Sequence, residues 1–185
     1  LVVDNAFASP SLQRPMEFGS RIVVHSTTKS IDGQGRALGG MILCHRDFLD
    51  ESLNLFLRNT GPALSPFNAW LHLKSLETLN LRMKAHCENA LIVADFLAGQ
   101  KKVTRVLSPF RPDHPQHNQA RAQMSGGGGV VTFEVKGGKP AVFRLANALE
   151  LIDISNNLGD TKSLLTHPET TTHQKLTPQV RAEQC

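Results

Sequence analysis

The sequence predicts an α/β chain, and three observations carry that expectation. Leu1-Val2-Val3 and Ile22-Val23-Val24 are short β-branched runs bounded by polar or glycine-containing loops, the pattern of buried parallel strands. Phe48, Leu49, Leu53, Phe56 and Leu57 then recur at three- and four-residue spacing, as on one face of a helix. Strand and helix signals alternate again in the second half, which favours helices layered on sheets.

Taken in order, the first strand runs from Leu1 to Val3 and ends on a carboxylate, Asp4. The second is Ile22–Val24 and the third Gly39–Cys44, with the turn-rich, hairpin-like Asp32-Gly33-Gln34-Gly35-Arg36 between them. A helix is expected over about 46–59, stopped by Gly61, since a left-handed residue commonly ends a helix. Ser65-Pro66 supplies a hydroxyl N-cap and a first-turn proline for the next helical stretch. Its apolar residues continue through Leu71, Leu76, Leu79, Met83, Leu91, Ile92, Phe96 and Leu97 to Gly99. That length exceeds a usual helix, so one break or a helix bridging two domains is expected.

Beyond it the signals are weaker but still alternate. A strand at Val103–Val106, a Pro- and His-rich loop from Pro109 to Pro115 and the tract Gly126–Gly129 come first. A strand at Val130–Val135, a helix near Pro140–Leu149 and a short strand at Leu151–Ile154 follow. This half reads as a smaller α/β layer with antiparallel hairpins, and a helix start lies from Gln179 onward.

Composition narrows the class. With 185 residues and 40% apolar content, the chain holds one to one-and-a-half domains and can bury a core, unlike a disordered segment. The net charge of +4 carries no dense Lys/Arg stripe, which speaks against a nucleic-acid-binding surface. No apolar run approaches the ~18 residues of a membrane span. Cys44, Cys87 and Cys185 are odd in number, widely spaced and free of a CxxC pair, so neither a disulfide scaffold nor a zinc module is expected. A soluble protein of the reducing cytoplasm fits best. The chain opens inside a strand-like run without an initiator Met or signal peptide, closes inside a helix start and has no Tyr. It reads as an internal fragment of a longer protein.

The chemistry concentrates at His25-Ser26-Thr27-Thr28-Lys29. A lysine just past a strand, with hydroxyls one and three positions before it, suits a poised amine beside a phosphate. Asp4 ends a second strand, where a carboxylate can keep a pyridine nitrogen protonated. Other features have plainer readings. His114-Pro115-Gln116-His117 is a polar loop, and no metal site is expected. Cys44 and Cys87 read as buried small hydrophobes, and Trp70 as a helix packing residue. Gly126–Gly129 precedes a strand and not a helix N-terminus, so the glycines serve a tight turn or close packing and not phosphate binding.

In these words the motifs point further. Val3-Asp4-Asn5-Ala6-Phe7-Ala8-Ser9-Pro10 followed by His25–Lys29 resembles the Cys/Met-metabolism family of pyridoxal-phosphate enzymes. The likeness continues through Leu64–Leu71, Leu76-Glu77-Thr78-Leu79, Arg82-Met83, His86, Ser155–Leu164, His167-Pro168 and Thr172-His173, so that it is collinear over essentially the whole chain. Within the family, Asp32-Gly33-Gln34-Gly35-Arg36 and Asn156–Ser163 look most like the O-succinylhomoserine sulfhydrylases, with cystathionine γ-synthase and methionine γ-lyase next. Ser30 departs from the family, which commonly has an aromatic after the lysine.

The resemblance implies the type I pyridoxal-phosphate-dependent transferase fold: residues 1–79 as the latter part of the large mixed-sheet domain, and 80–185 as a truncated smaller C-terminal α/β domain. It implies pyridoxal 5'-phosphate as cofactor, Lys29 as the Schiff-base lysine, Asp4 as the ring-nitrogen partner, Ser26 and Thr28 as phosphate contacts and Asn157 at the substrate carboxylate. The implied reaction is γ-replacement, with an amino-acid substrate and sulfide giving homocysteine for methionine biosynthesis. A homotetramer built as a dimer of dimers is implied for the full-length parent, and the fragment alone is expected to be inactive.

Overall fold

The computed structural model describes residues 1–184; Cys185 and the expectations attached to it lie outside the described residues. Strand β1 (Val2–Asp4) pairs in parallel with β2 (Ile22–Ser26), setting Val3 opposite Val23 and Asp4 opposite Val24. Parallel neighbours need a crossover, and α1 (Ser9–Leu12) with a 3-10 turn at Pro15–Phe18 provides it. On the other side of β2, β3 (Gly40–Cys44) runs antiparallel, with His25 opposite Met41 and Ser26 opposite Gly40.

The strands are less buried than their β-branched residues suggest. Val23 is buried, but Leu1 and Val2 are 80% and 60% exposed, and Met41, Ile42 and Leu43 of β3 are also exposed. A β-branched run reports a preference for extended backbone, whereas burial needs a covering layer. Among the described residues no such layer covers β1 and β3.

The helices follow the expected order with one irregularity. α2 (Arg46–Phe48) passes through a π-helical turn (Leu49–Leu53) into α3 (Asn54–Thr60), and Gly61 closes it in the left-handed conformation. α4 (Pro66–Leu76) is capped by the Ser65 hydroxyl, which accepts from the Asn68 N–H. The expected break falls at Glu77-Thr78, after which α5 (Leu79–Ala98) runs to Gly99. Trp70, expected to be a helix packing residue, is 55% exposed, and its ring lies beside Phe67 one turn earlier on α4.

In the second half β4 (Val103–Leu107) pairs antiparallel with β5 (Thr132–Val135), and α6 (His117–Gln123), not foreseen from sequence, lies between them. α7 (Gly138–Asn147) precedes β6 (Asp153–Ile154), which pairs with β7 (Leu164–Leu165) in parallel and not as a hairpin. A 3-10 turn at Pro168–Thr170 and α8 (Pro178–Gln184) complete the described chain. Among the described residues no helix is long and apolar enough to cross a membrane.

The core lies where α1, the turn after β2 and α5 meet. Ala8, Leu12, Ile31, Leu79 and Met83 are buried together, with Leu76, Cys87 and Met124 packed against them. Burying a side chain of this size contributes about 1.5–3 kcal/mol, so Ile31 and Met83 anchor the turn between them. The glycine tract lies on α5: a Cβ on Gly126 would stand 2.7 Å from the Cys87 sulfur, and one on Gly129 3.2 Å from His86 Cβ. Close packing, one of the two expected uses, accounts for these glycines. Cys44 and Cys87 are free thiols, each only half-buried.

Candidate functional site

The lysine sits on an unusual turn. β2 ends at Ser26, and Thr27–Ile31 form one π-helical turn in which Lys29 leaves the helical region at φ −87°, ψ −127°. Both sides of the turn are tied down. The Asp32 and Gly33 N–H groups donate to the carbonyls of Thr27 and Lys29, each at 2.8 Å. The Thr27 N–H donates to Gly39 at 3.0 Å, and its buried hydroxyl shares a hydrogen bond with His72 Nε2 at 3.2 Å. Thr28 accepts from the Gly39 N–H at 3.0 Å and donates to the Gly39 carbonyl at 3.3 Å. A Cβ on Gly39 would stand 2.5 Å from the Thr27 hydroxyl, so glycine is what lets β3 start this close.

The loop after the turn closes on a buried carboxylate. Asp32 is 1% exposed and accepts from the Arg36 N–H at 2.7 Å and from Arg36 Nε at 3.1 Å. Arg36 Nη2 continues to the Ser75 hydroxyl on α4 at 2.7 Å. A paired and fully hydrogen-bonded charge is the form in which a buried carboxylate is tolerated.

A distant segment docks on this loop. Lys29 Nζ donates to Asn157 Oδ1 at 2.8 Å, and the Thr161 N–H donates to the Gly33 carbonyl at 2.8 Å. Gly159 has φ +78° and lies against Ser30, where a Cβ would stand 2.6 Å from the Ser30 hydroxyl. A cleft of about 480 Å³ opens beside Asn157, between Gln34 and Gly35 on one wall and Asp153, Ser155 and Lys162 on the other.

Asp4 closes β1, and its Oδ1 accepts from the Ala6 N–H at 3.0 Å. Beside it, His25 is 3% exposed, and its Nδ1 has no hydrogen-bond partner among the described residues. Burial holds the His25 imidazole below its ordinary range, and the Asp4 charge only partly offsets this. The Ser26 hydroxyl is half-buried and has no protein partner among the described residues.

Because β1 and β2 are parallel, Asp4 and Ser26–Lys29 fall at the same carboxyl edge of the sheet, where open α/β sheets bind ligands. Asn157 is brought to Lys29 by tertiary packing. Sequence reasoning missed the roles of Asp32, Arg36, Arg82 and Gly159 in holding the turn. Asp32–Arg36 stood out only as a turn signal, and nothing local marks Arg82 as its neighbour.

A family model described as Cys/Met metabolism PLP-dependent enzyme matches residues 1–185. The chain belongs to this family. Its relatives in the Cys/Met family include O-succinylhomoserine sulfhydrylase of Pseudomonas aeruginosa, 50% identical over 98% of this chain and 45% of the relative. L-methionine gamma-lyase of Pseudomonas putida is 43% identical, with 98% of this chain and 46% of the relative covered. Among solved structures, cystathionine gamma synthase from Xanthomonas oryzae pv. oryzae superposes with a TM-score of 0.94 at 38% identity, covering 98% of this chain and 47% of that one. The chain spans about half the length of these Cys/Met-family relatives, and its α/β fold matches that of the cystathionine gamma synthase over about half of that chain.

Proposed function

We propose that this chain carries the lysine side of the active site of an O-succinylhomoserine sulfhydrylase. In that reaction sulfide displaces succinate from O-succinylhomoserine and yields homocysteine, a γ-replacement in methionine biosynthesis. The observation that carries the reading is the Lys29 amine, presented at the carboxyl edge of β1 and β2 and held at 2.8 Å by Asn157. The identity of 50% to O-succinylhomoserine sulfhydrylase supports the choice within the family. The fold is read as type I, with 1–79 from the large domain and 80–185 from the small one. The break at Thr78 supports that boundary.

The residues fit pyridoxal 5'-phosphate by their donor set: a half-buried amine, a hydroxyl without a protein partner on Ser26, and a strand-end carboxylate on Asp4. Bound cofactor supplies an electron sink for charge developing on the substrate. Lys29 holds the cofactor through its amine and then moves protons at the substrate Cα and Cβ as base and acid. Asp4 pairs with the ring nitrogen and keeps it protonated. Ser26 and Thr28 would hold the phosphate through their hydroxyls, with Thr28 giving up its hydrogen bond to the Gly39 carbonyl to do so. Asn157 turns its amide to the substrate carboxylate. The active protein is read as a tetramer assembled from dimers.

The test uses a protein of the relatives' length, assayed with O-succinylhomoserine plus sulfide, O-succinylhomoserine plus cysteine, and methionine alone. Homocysteine from the first mixture is expected, with Lys29→Ala abolishing it. Preferential cystathionine or methanethiol production would replace the reading with the synthase or the lyase. The 185-residue chain titrated with pyridoxal 5'-phosphate is expected to bind weakly or not at all.

A further inference from the structure

The lysine turn leaves two carbonyls without helical partners, and both are taken by one side chain. Arg82 on α5 donates from Nη1 to the Ser30 carbonyl at 2.6 Å and from Nη2 to the Ile31 carbonyl at 3.0 Å. Nη2 also reaches the Ser75 carbonyl at 3.0 Å, and Nε reaches the Thr78 hydroxyl at 3.2 Å. No carboxylate of the described residues lies within ion-pair distance of this guanidinium. It spends its donors on main-chain carbonyls and a hydroxyl, so the fork geometry matters more than the charge. Burial, which disfavours its charge, is the main influence on its protonation, and the field of Asp32 works the other way.

The chain leaves room for this fork at one glycine. Gly33 has φ +72°, and a Cβ on it would overlap Arg82 Nη1 and stand 2.6 Å from Cζ. On the opposite side, Gly159 backs against Ser30. The Ser30 peptide, next to Lys29, is therefore clamped between Arg82 and Gly159. Without the clamp, the Lys29 backbone at ψ −127° has nothing fixing the carbonyls that follow it, and the amine loses its direction toward Asn157.

We propose that Arg82 is the positioning residue for Lys29: its guanidinium fixes the Ser30 and Ile31 carbonyls and so aims the lysine amine. This rests on the reading of Lys29 as the cofactor-holding lysine, but its test needs no cofactor. The 185-residue chain is trace-labelled with acetic anhydride across a pH series, and the rate at Lys29 is read by mass spectrometry against exposed Lys101 in the same molecule. In Arg82→Gln, the Lys29 rate relative to Lys101 is expected to rise about fivefold, the size of one lost hydrogen bond. Arg82→Lys keeps the charge without the fork and should fail to restore the original ratio. Gly33→Ala pushes the fork aside with Arg82 in place and should reproduce the rise, while Arg82→Lys, which keeps the stem and the charge, decides the matter if Arg82→Gln does not fold. An unchanged ratio in a folded variant, restoration by Arg82→Lys, or loss of folding in every variant would overturn the positioning role. Failure of cofactor binding or turnover in the protein of the relatives' length would instead count against the proposed function and leave this measurement standing.

Discussion

Lys29 Nζ and Asn157 Oδ1 meet at 2.8 Å across 128 positions of sequence, joining the turn after β2 to the segment between β6 and β7. The partner is a neutral amide, so it orients the amine without adding a counter-charge. An anionic side chain in the same place would favour the ammonium form instead.

That difference gives the first prediction. Asn157→Asp should slow the reaction of Lys29 with trinitrobenzenesulfonate at neutral pH by about tenfold, equivalent to about 1.4 kcal/mol of added attraction. Asn157→Ala should leave the amine unheld and speed the reaction. Equal rates in all three proteins, read from the Lys29 peptide, would mean the contact does not govern the amine.

Gly159 carries the second. Its φ of +78° and the closeness of Ser30 leave no space for a side chain. Gly159→Ala should cost about 2–4 kcal/mol, from left-handed backbone strain together with overpacking. Urea denaturation measures this, and hydrogen exchange at Gly33 and Thr161 should accelerate in the same variant. A midpoint shift near zero would show that the segment relaxes freely.

The third concerns acid. Burial lowers both His25 and His86 from an ordinary value of 6.5, with the Arg82 charge adding to the effect at His86. Below that value the unfolded chain takes up protons that the folded chain refuses. Stability should therefore be complete above about pH 6.5 and fall as pH drops through the window beneath it. Each pH unit inside the window removes at most about 1.4 kcal/mol per histidine. Urea midpoints at pH 7.5 and 5.5 test the slope, and His25→Gln should flatten it. A midpoint independent of pH in the unmodified chain would contradict the assignment.

The fourth concerns association. Phe7, Phe56, Phe67 and Phe96 are each more than 60% exposed, and β3 presents Met41, Ile42 and Leu43. Apolar surface and free strand edges of this kind drive self-association. The 185-residue chain should elute from size-exclusion chromatography as heterogeneous or oligomeric material and melt over a broad range. A sharp monomer peak with a cooperative, high-temperature transition would contradict this.

Much of the architecture was legible locally, because the signals that set it are local. The β-branched runs marked β1 and β2, Ser65-Pro66 marked the start of α4, and Gly61 marked the end of α3. Asp4 and Lys29 stood out because each follows a strand, and parallel pairing then places both at one edge. α6 escaped notice because its seven residues carry no apolar periodicity. The exposure of β1 and β3 escaped because composition reports a preference for extended backbone and says nothing about which layer will cover it.

By itself the sequence determined the order of the main elements, the family and the residues with chemistry at the strand ends. It did so because hydrophobic period, caps and the spacing of a motif are properties of neighbours along the chain. Only the tertiary structure decided that Asn157 would hold Lys29, that Asp32 would be buried on Arg36, and that Arg82 would take the carbonyls of Ser30 and Ile31. Lys29 and Asn157 lie 128 positions apart and Arg82 lies 52 and 51 from Ser30 and Ile31, whereas Asp32 and Arg36 share one loop that is buried where Arg36 reaches Ser75 on α4. The long-range contacts and the burial of Asp32 are set by packing between segments, which no single segment contains.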